Sequence, residues 1–454
     1  MSESRRITAR DCALRVLIEC ETQGAYANLA MPKVLAASRL DARESALATE
    51  IAFGTLRAQL RYDYLAGQAG DRDIAALDAQ VRCAVRMGAH QLLDTRIPDH
   101  AAISETVAAV RKITNRGAAG TVNALLRTLQ RRRQHLREPQ DLPTRYSHPK
   151  PLVRALDDAL SVLGLSDTLP QLLEEDNRAP YVTLVARPGL TDRESLADEA
   201  EELLDADTAF TPYSPWGVTI SRGEPGRLPQ IRSAAAAVQD EGSQLVAGIC
   251  AELPVHADGG ERAWLDLCAG PGGKTAILAG LARERTTGNG ESVKLHAIEL
   301  HRHRAQLTRK TLKDFPEVSV ECADGRAVKG LYQRVLVDAP CSGLGSLRRH
   351  PEARYRSFTA QLPQLVNLQR QLLNAAIAVT QPGGVICYST CSPLPVETRD
   401  NVKSALSDGR LKLLDLSTIA RQHFDLDVSG PTIQLWPHIH GTDAMYIAAF
   451  ERLA

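Results

Sequence analysis

Two cysteines stand just past what read as the carboxyl ends of buried strands: Cys341 in VLVDAPCSGLG, residues 335–345, and Cys391 in ICYSTCSPLP, residues 386–395. In open α/β sheets that edge is where ligands bind and chemistry happens. A thiolate there is a nucleophile, and methylation of carbon 5 of cytosine is a reaction that needs one. Carbon 5 is weakly nucleophilic, but a thiolate added at carbon 6 turns the ring into an enamine that attacks an electrophilic methyl group. The carbon 5 proton must then leave and the thiol be expelled. Such a site needs the attacking thiol, an acid for the ring nitrogen and a group that helps undo the adduct. A free cysteine has a pKa near ~8.5, so the surroundings must favour the anion or supply a base. Residue type and spacing do not say which of the two thiols attacks.

A methyl donor site is legible nearby. The first strand of the same region runs into LDLCAGPGGKTAIL, with Gly270, Gly272 and Gly273 in the strand-to-helix turn, where backbone must approach a ligand closely. The dinucleotide fingerprint G-x-G-x-x-G lacks its third glycine here, and a P-loop would need glycine where Cys268 stands. An adenosyl ligand without a pyrophosphate fits better. Glu299 in AIEL is placed to accept the ribose hydroxyls, Asp324 in CADG to meet the adenine amino group, and Asp338 closes the fourth strand. Acids at the ends of strands one to four beside a glycine-rich first turn describe an S-adenosyl-L-methionine site, formed by Cys268, Ala269, Gly270, Pro271, Gly272, Gly273 and Lys274 with Glu299, Asp324 and Asp338.

The elements that must position these residues fall into three regions. Residues 1–138 carry apolar residues at three-to-four spacing throughout and predict an all-α bundle. Its last helix, TVNALLRTLQRRRQHLRE, ends in Arg127, Arg131, Arg132, Arg133 and Arg137, either a solvated helix end or a phosphate-contacting patch. Residues 139–240 read as a small α+β module, with strands in APYVTLVARPG and WGVTISRG around the helix ESLADEAEELLDA. From 241 to 454 strand, turn and helix alternate, with strands in AWLDLCA, VKLHAIEL, VSVECA, RVLVDAP, GGVICYST and AMYIAAFERL, which implies a doubly wound sheet.

The bulk numbers set bounds. The chain has 454 residues, 44% hydrophobic, 24% charged and 4% aromatic, and a formal net charge of zero. No run of eighteen apolar residues predicts a membrane span, and MSESRRITARD has no apolar leader region. Nine scattered cysteines fit a reducing, cytoplasmic setting better than a disulfide framework. A neutral total leaves room for a local RNA-binding patch. The histidines of HRHR (301–304) and PHIHG (437–441) lack ligand spacing, so no metal is expected. Cys268, Cys322 and Cys387 are expected to be packing residues.

DLCAGPGGKT, DAPCSGLG and YSTCS occur in that order and together resemble the Nol/Nop/Sun RNA (cytosine-5) methyltransferases. FGTLR, MGAHQLL and RIPDHAAISETV resemble the NusB-like RNA-binding domain of the bacterial 16S rRNA methyltransferase B branch (RsmB/Sun type), and RRHPEARY and HGTDAMYIAAF extend the resemblance along nearly the whole chain. It implies a multidomain protein: a NusB-like bundle, a small α+β linker module and a C-terminal Rossmann-like α/β methyltransferase domain. It also implies Cys391 as nucleophile, Cys341 as the thiol that assists release, and Asp338 on the cytosine ring. The expected activity is methylation of 16S rRNA by a monomer, alternatively the same chemistry on tRNA, or a non-catalytic role in ribosome assembly. Departures from the family pattern are Gly270 for a common alanine, Glu299 for the usual aspartate, and Val396 and Thr398 around Glu397 in the stretch after Cys391.

Overall fold

The computed structural model describes residues 7–285, 293–407 and 409–454; the first six residues of the stretch read for a leader lie outside them. The chain forms two compact units, one running to Ala179 and including Leu347–Arg356, the other comprising Pro180–Ser346 and Ser357–Ala454.

The first unit is helical. Its opening helix, Ala9–Gln23, begins with a reciprocal Thr8–Asp11 capping box and stops at Gly24 in the left-handed region. The continuous helix suggested by RESALATEIAFGTLRAQLRYDYLAG is two helices, Ala42–Arg57 and Gln59–Gly70, broken at Ala58. The break leaves the Arg61 N–H without a partner in its own helix, and it donates to Ser147 Oγ at 3.0 Å. Helices Ala27–Ser38, Ala79–Leu93, Asp99–Ile113 and Arg116–Arg132 join them in the bundle.

Residues 139–240 are shared between the units. The helices Lys150–Ser161 and Leu169–Glu175 lie in the helical unit, because their periodicity buries Leu152, Leu156, Leu160, Leu172 and Leu173. The strands that follow belong to the second unit. Within the helical unit the returning segment Leu347–Arg356 is held by buried Arg354, which donates to Asn177 Oδ1 (2.6 Å), Asp176 O (3.0 Å) and Arg57 O (3.1 Å).

The second unit contains two sheets. β1 (Val182–Ala186), β2 (Thr208–Phe210), β3 (Gly217–Ile220) and β4 (Ala236–Val238) pair antiparallel in the order β2-β3-β1-β4. With helices Arg193–Leu204 and Pro229–Ser233 they make a βαββαβ unit. The three-residue strands β2 and β4 are too short to carry a readable alternation in the sequence. The larger sheet is built from β5 (Ala263–Asp266), β6 (Lys294–Ile298), β7 (Val318–Glu321), β8 (Tyr332–Asp338), β9 (Thr380–Thr390), β10 (Leu411–Leu413), β11 (Ile433–Gln434) and β12 (Tyr446–Arg452). Its order is β10-β12-β9-β8-β5-β6-β7, with β11 paired to β12.

β5 to β9 are parallel, while β12 lies antiparallel against β9. Alternating strands and helices predict the parallel part, but not the antiparallel β12. β6 and β8 flank β5 on opposite sides, so the chain order reverses there and a crevice opens at the carboxyl edge. Val335, Leu336, Val337, Ile386, Cys387 and Tyr388 are fully buried, as expected for parallel strands covered on both faces.

Candidate active site

The carboxyl edge of β5, β6, β8 and β9 collects the chemically competent side chains. After β5 the chain turns through Gly272, whose φ of 104° requires glycine, into the helix Gly273–Glu284. Asp266, the acid of the first strand, is buried beneath this turn. It accepts from Cys268 N (3.3 Å) and Thr275 Oγ1 (2.7 Å), and burial pushes its carboxyl up to about 6. It braces the turn instead of facing the crevice.

Glu299, almost fully buried, accepts from His301 N at 2.8 Å and has Arg304 Nε 3.5 Å from its other oxygen. Arg304 also donates to Gly270 O. A Cβ on Gly270 would lie 2.1 Å from Glu299 Oε2, so the two departures from the family pattern meet in one place. Asp324 sits after β7, half-exposed. Arg326 engages both its oxygens, with Nη2 at 2.6 Å from Oδ2, and these bonds hold the Asp324 carboxyl below its ordinary range. A contact from Asp324 to an adenine amino group therefore requires Arg326 to give up part of its grip.

Asp338 ends β8. Its carboxylate accepts from Ser389 Oγ at 2.9 Å and from Lys274 Nζ at 2.8 Å. Burial alone would depress the Lys274 ammonium, but the charge and hydrogen bond of Asp338 outweigh it, and the shift is upward. Lys274 thus stays cationic within electrostatic reach of Cys391.

The two cysteines, 50 residues apart in sequence, meet with their sulfurs 3.3 Å apart. β8 and β9 are neighbouring parallel strands, and Asp338 pairs with Ser389 in register, so the loops that follow begin side by side. Main-chain bonds hold them together: Ala339 N donates to Ser389 O and Gly345 N to Cys391 O, each at 2.9 Å. A side chain at Gly345 would strike Ala444 O at 2.2 Å and Cys391 O at 2.9 Å, which explains a glycine there. Cys341 is pushed well above the usual thiol range by its hydrogen bond to Cys391 and by burial, so it keeps its proton at neutral pH.

Cys268 is likewise pushed up, by burial and by the nearby Asp266, Asp338 and Glu299 charges. Cys387 packs in the core at 0% exposure. Cys322 does not pack; it is exposed. It follows edge strand β7, whose residues alternate between partial burial and exposure, and an edge strand shows the sequence pattern of a core strand without its cover.

Sequence reasoning singled out Glu397 only as a match to the family pattern and missed the polar groups that join it behind the thiols. Glu397, Ser392, Gln369 and Asn401 are all fully buried and mutually bonded. The Cys-Ser dipeptide shared by both motifs was the available signal, because each serine reaches Glu397.

In the helical unit the arginines split. Arg133 pairs with Asp99 (2.9 Å) and Arg132 donates to Ala69 O (2.9 Å), whereas Arg127 and Arg131 face solvent with no ion pair among the described residues. Among the described residues no group of three or more His, Cys, Asp or Glu side chains is arranged to hold a metal, and no helix is long and apolar enough to cross a membrane.

Residues 255–451 match the model of the 16S rRNA methyltransferase RsmB/F family, and residues 7–131 that of the NusB family. A methyltransferase of Mycobacterium tuberculosis is 41% identical over 98% of this chain and 96% of its own length. The ribosomal RNA small subunit methyltransferase B of Pseudomonas putida is 32% identical over 90% of this chain and 92% of its own. The chain belongs to the RsmB/F family of 16S rRNA methyltransferases. Among solved structures PH0851 superposes with a TM-score of 0.78 over 99% of this chain and all of that one at 21% identity. NSun6 from Pyrococcus horikoshii, solved with SFG, gives 0.54 over 66% of this chain and 98% of that one at 17% identity. These two share the fold. As an RsmB/F member with a NusB-family bundle, the chain carries its methyltransferase part on the larger sheet and its second family module in the helical unit.

Proposed function

We propose that this protein methylates carbon 5 of a cytosine in 16S rRNA, with S-adenosyl-L-methionine as donor, through a transient bond from Cys391 to carbon 6. The observation that carries this reading is the pair of thiols 3.3 Å apart at the carboxyl edge, next to the Lys274–Asp338 ion pair. Methylation of a ring nitrogen or a hydroxyl needs no thiol, whereas attack from carbon 5 needs one to make the adduct and help to break it.

The residues fit the donor. The glycine turn of Cys268–Lys274 leaves no room for a Cβ at Gly270, Glu299 is buried beside it as a ribose acceptor, and Asp324 and Asp338 close the crevice. When bound, the cofactor supplies the methyl group as an electrophile. The Cys391 sulfur, with the cationic Lys274 nearby, adds to carbon 6. Asp338, though bonded to Ser389 and Lys274, keeps lone pairs to accept from the amino group of the base, and from the ring nitrogen once that nitrogen takes up a proton as the adduct forms, since a carboxylate has about four acceptor sites. Once carbon 5 is methylated, its proton leaves, the electron pair re-forms the double bond between carbons 5 and 6, and the bond to sulfur breaks with its electrons returning to Cys391. Cys341, protonated and within hydrogen-bond reach of that sulfur, is placed to hand its proton to the departing Cys391 sulfur and, as the thiolate so formed, to take up the carbon 5 proton.

Bisulfite sequencing of total RNA from a strain lacking the gene tests the reading. One 16S cytosine should lose its protection and regain it with the wild-type chain but not with Cys391→Ala. Loss of protection in a tRNA with 16S unchanged would transfer the same chemistry to tRNA.

The exposed Arg127 and Arg131 are proposed as phosphate contacts. Replacing both by glutamine should lower RNA affinity and reduce the slope of log K against log salt by roughly 1–2. Cofactor affinity should stay intact. An unchanged slope would make them a solvated helix end.

A further inference from the structure

We propose that Glu397 is a positioning residue that locks the two cysteine loops in one working geometry; this rests on the reading of Cys341 and Cys391 as the reacting pair. Glu397 touches neither thiol. Its Oε1 accepts from Ser342 N at 2.9 Å and from Gln369 Nε2 at 3.0 Å. Its Oε2 accepts from Ser342 Oγ and from Ser392 Oγ, both at 2.5 Å. Ser342 follows Cys341 and Ser392 follows Cys391, so one carboxylate ties together the residues next to both sulfurs.

Everything behind the carboxylate holds it still. Gln369, from the helix Phe358–Val379, also donates to Pro340 O at 2.9 Å, gripping the residue before Cys341. Asn401 donates to Gln369 Oε1 at 2.8 Å and to Tyr388 Oη at 3.0 Å, and Tyr388 Oη donates to the Glu397 carbonyl at 2.6 Å. All four side chains are buried, where an acceptor deprived of its donors is expensive and a complete network is rigid. The departures Val396 and Thr398 leave this arrangement intact. Val396 is partly exposed, and Thr398 Oγ1 donates to Leu394 O at 2.8 Å, so neither faces the carboxylate.

The arrangement has a consequence measurable without RNA. Two sulfurs in contact at 3.3 Å need little movement to bond, so diamide should join them: two thiols are oxidised to a disulfide while its azo group is reduced to the hydrazine. In the full-length protein, the rate of Cys341–Cys391 disulfide formation, followed by peptide mass spectrometry, should fall roughly tenfold or more in Glu397→Ala, because held orientation supplies most of an intramolecular rate. Glu397→Gln keeps an acceptor for Ser342 N and should restore most of it. Alkylation of the exposed Cys322 serves as an internal control that should not change. If Glu397→Ala fails to fold, Ser392→Ala, which removes one of the two hydroxyl ties, should still slow the reaction severalfold.

In the methylation assay Glu397→Ala should lower kcat with little change in KM for RNA. A wild-type rate of disulfide formation in Glu397→Ala, or in Ser392→Ala where that variant decides, overturns the proposal whatever the enzyme methylates. A slowed rate together with no 16S cytosine methylation by the wild-type chain would instead overturn the functional reading and leave the clamp standing.

Discussion

Cys391→Ala is expected to form neither a covalent protein–RNA species nor methylated product, while Cys341→Ala is expected to accumulate the covalent species. The reason is the asymmetry of the pair. The contact with Cys391 and burial both push Cys341 up, which keeps it protonated; Cys391 lies in the field of the Lys274 ammonium. Removing the attacker leaves carbon 5 without an enamine, so turnover should fall by several orders of magnitude, as it does when a nucleophile is lost. Removing the assisting thiol leaves attack and methyl transfer possible and slows release. A denaturing gel with labelled RNA should then show a slow-migrating band for Cys341→Ala and none for Cys391→Ala, with wild type turning over the same RNA in parallel. A band in Cys391→Ala and none in Cys341→Ala would make Cys341 the attacker.

Gly270→Ala is expected to weaken binding of S-adenosyl-L-methionine by roughly 10–100-fold, and Glu299→Asp in the same chain to recover much of that loss. The added Cβ would lie 2.1 Å from Glu299 Oε2 and 2.8 Å from its Cδ, so the carboxylate must move. Glu299 is held by His301 N and by Arg304, so it has little freedom to move without losing the position proposed for the ribose. Shortening it by one methylene opens that space. Neighbouring residues that share a steric conflict couple by roughly 0.5–3 kcal/mol in a double-mutant cycle. Titration calorimetry on the four proteins measures this directly. Strictly additive losses, or an unaffected Gly270→Ala, would mean that the two departures are independent.

The catalytic motifs were legible because each is short and continuous. A run such as Val335–Val337, an acid, then a cysteine in a loop reads as a strand end, and every strand end of a parallel sheet points to the same edge. The glycine turn was legible for the same reason. The helices of residues 1–138 announced themselves by periodicity, apart from the break at Ala58, where the freed Arg61 N–H finds its acceptor in Ser147 far along the chain. The exposure of Cys322 was not legible, since alternation does not tell an edge strand from a central one.

The residue types and their order were enough to imply an α/β methyltransferase sheet, a helical bundle ahead of it, two candidate thiols and a row of strand-end acids. They left open which side chains touch. Only the pairing of β8 with β9 brings Cys341 and Cys391 to 3.3 Å, and only the packed structure lets Gly270 meet Glu299 and sets Glu397 behind both thiols. The physical reason is range. Hydrophobic period and turn chemistry act over a few residues, and sequence displays them. A hydrogen bond or steric contact between residues 29 to 55 apart exists only once the strands have paired in register, and there a few tenths of an ångström decide which groups meet.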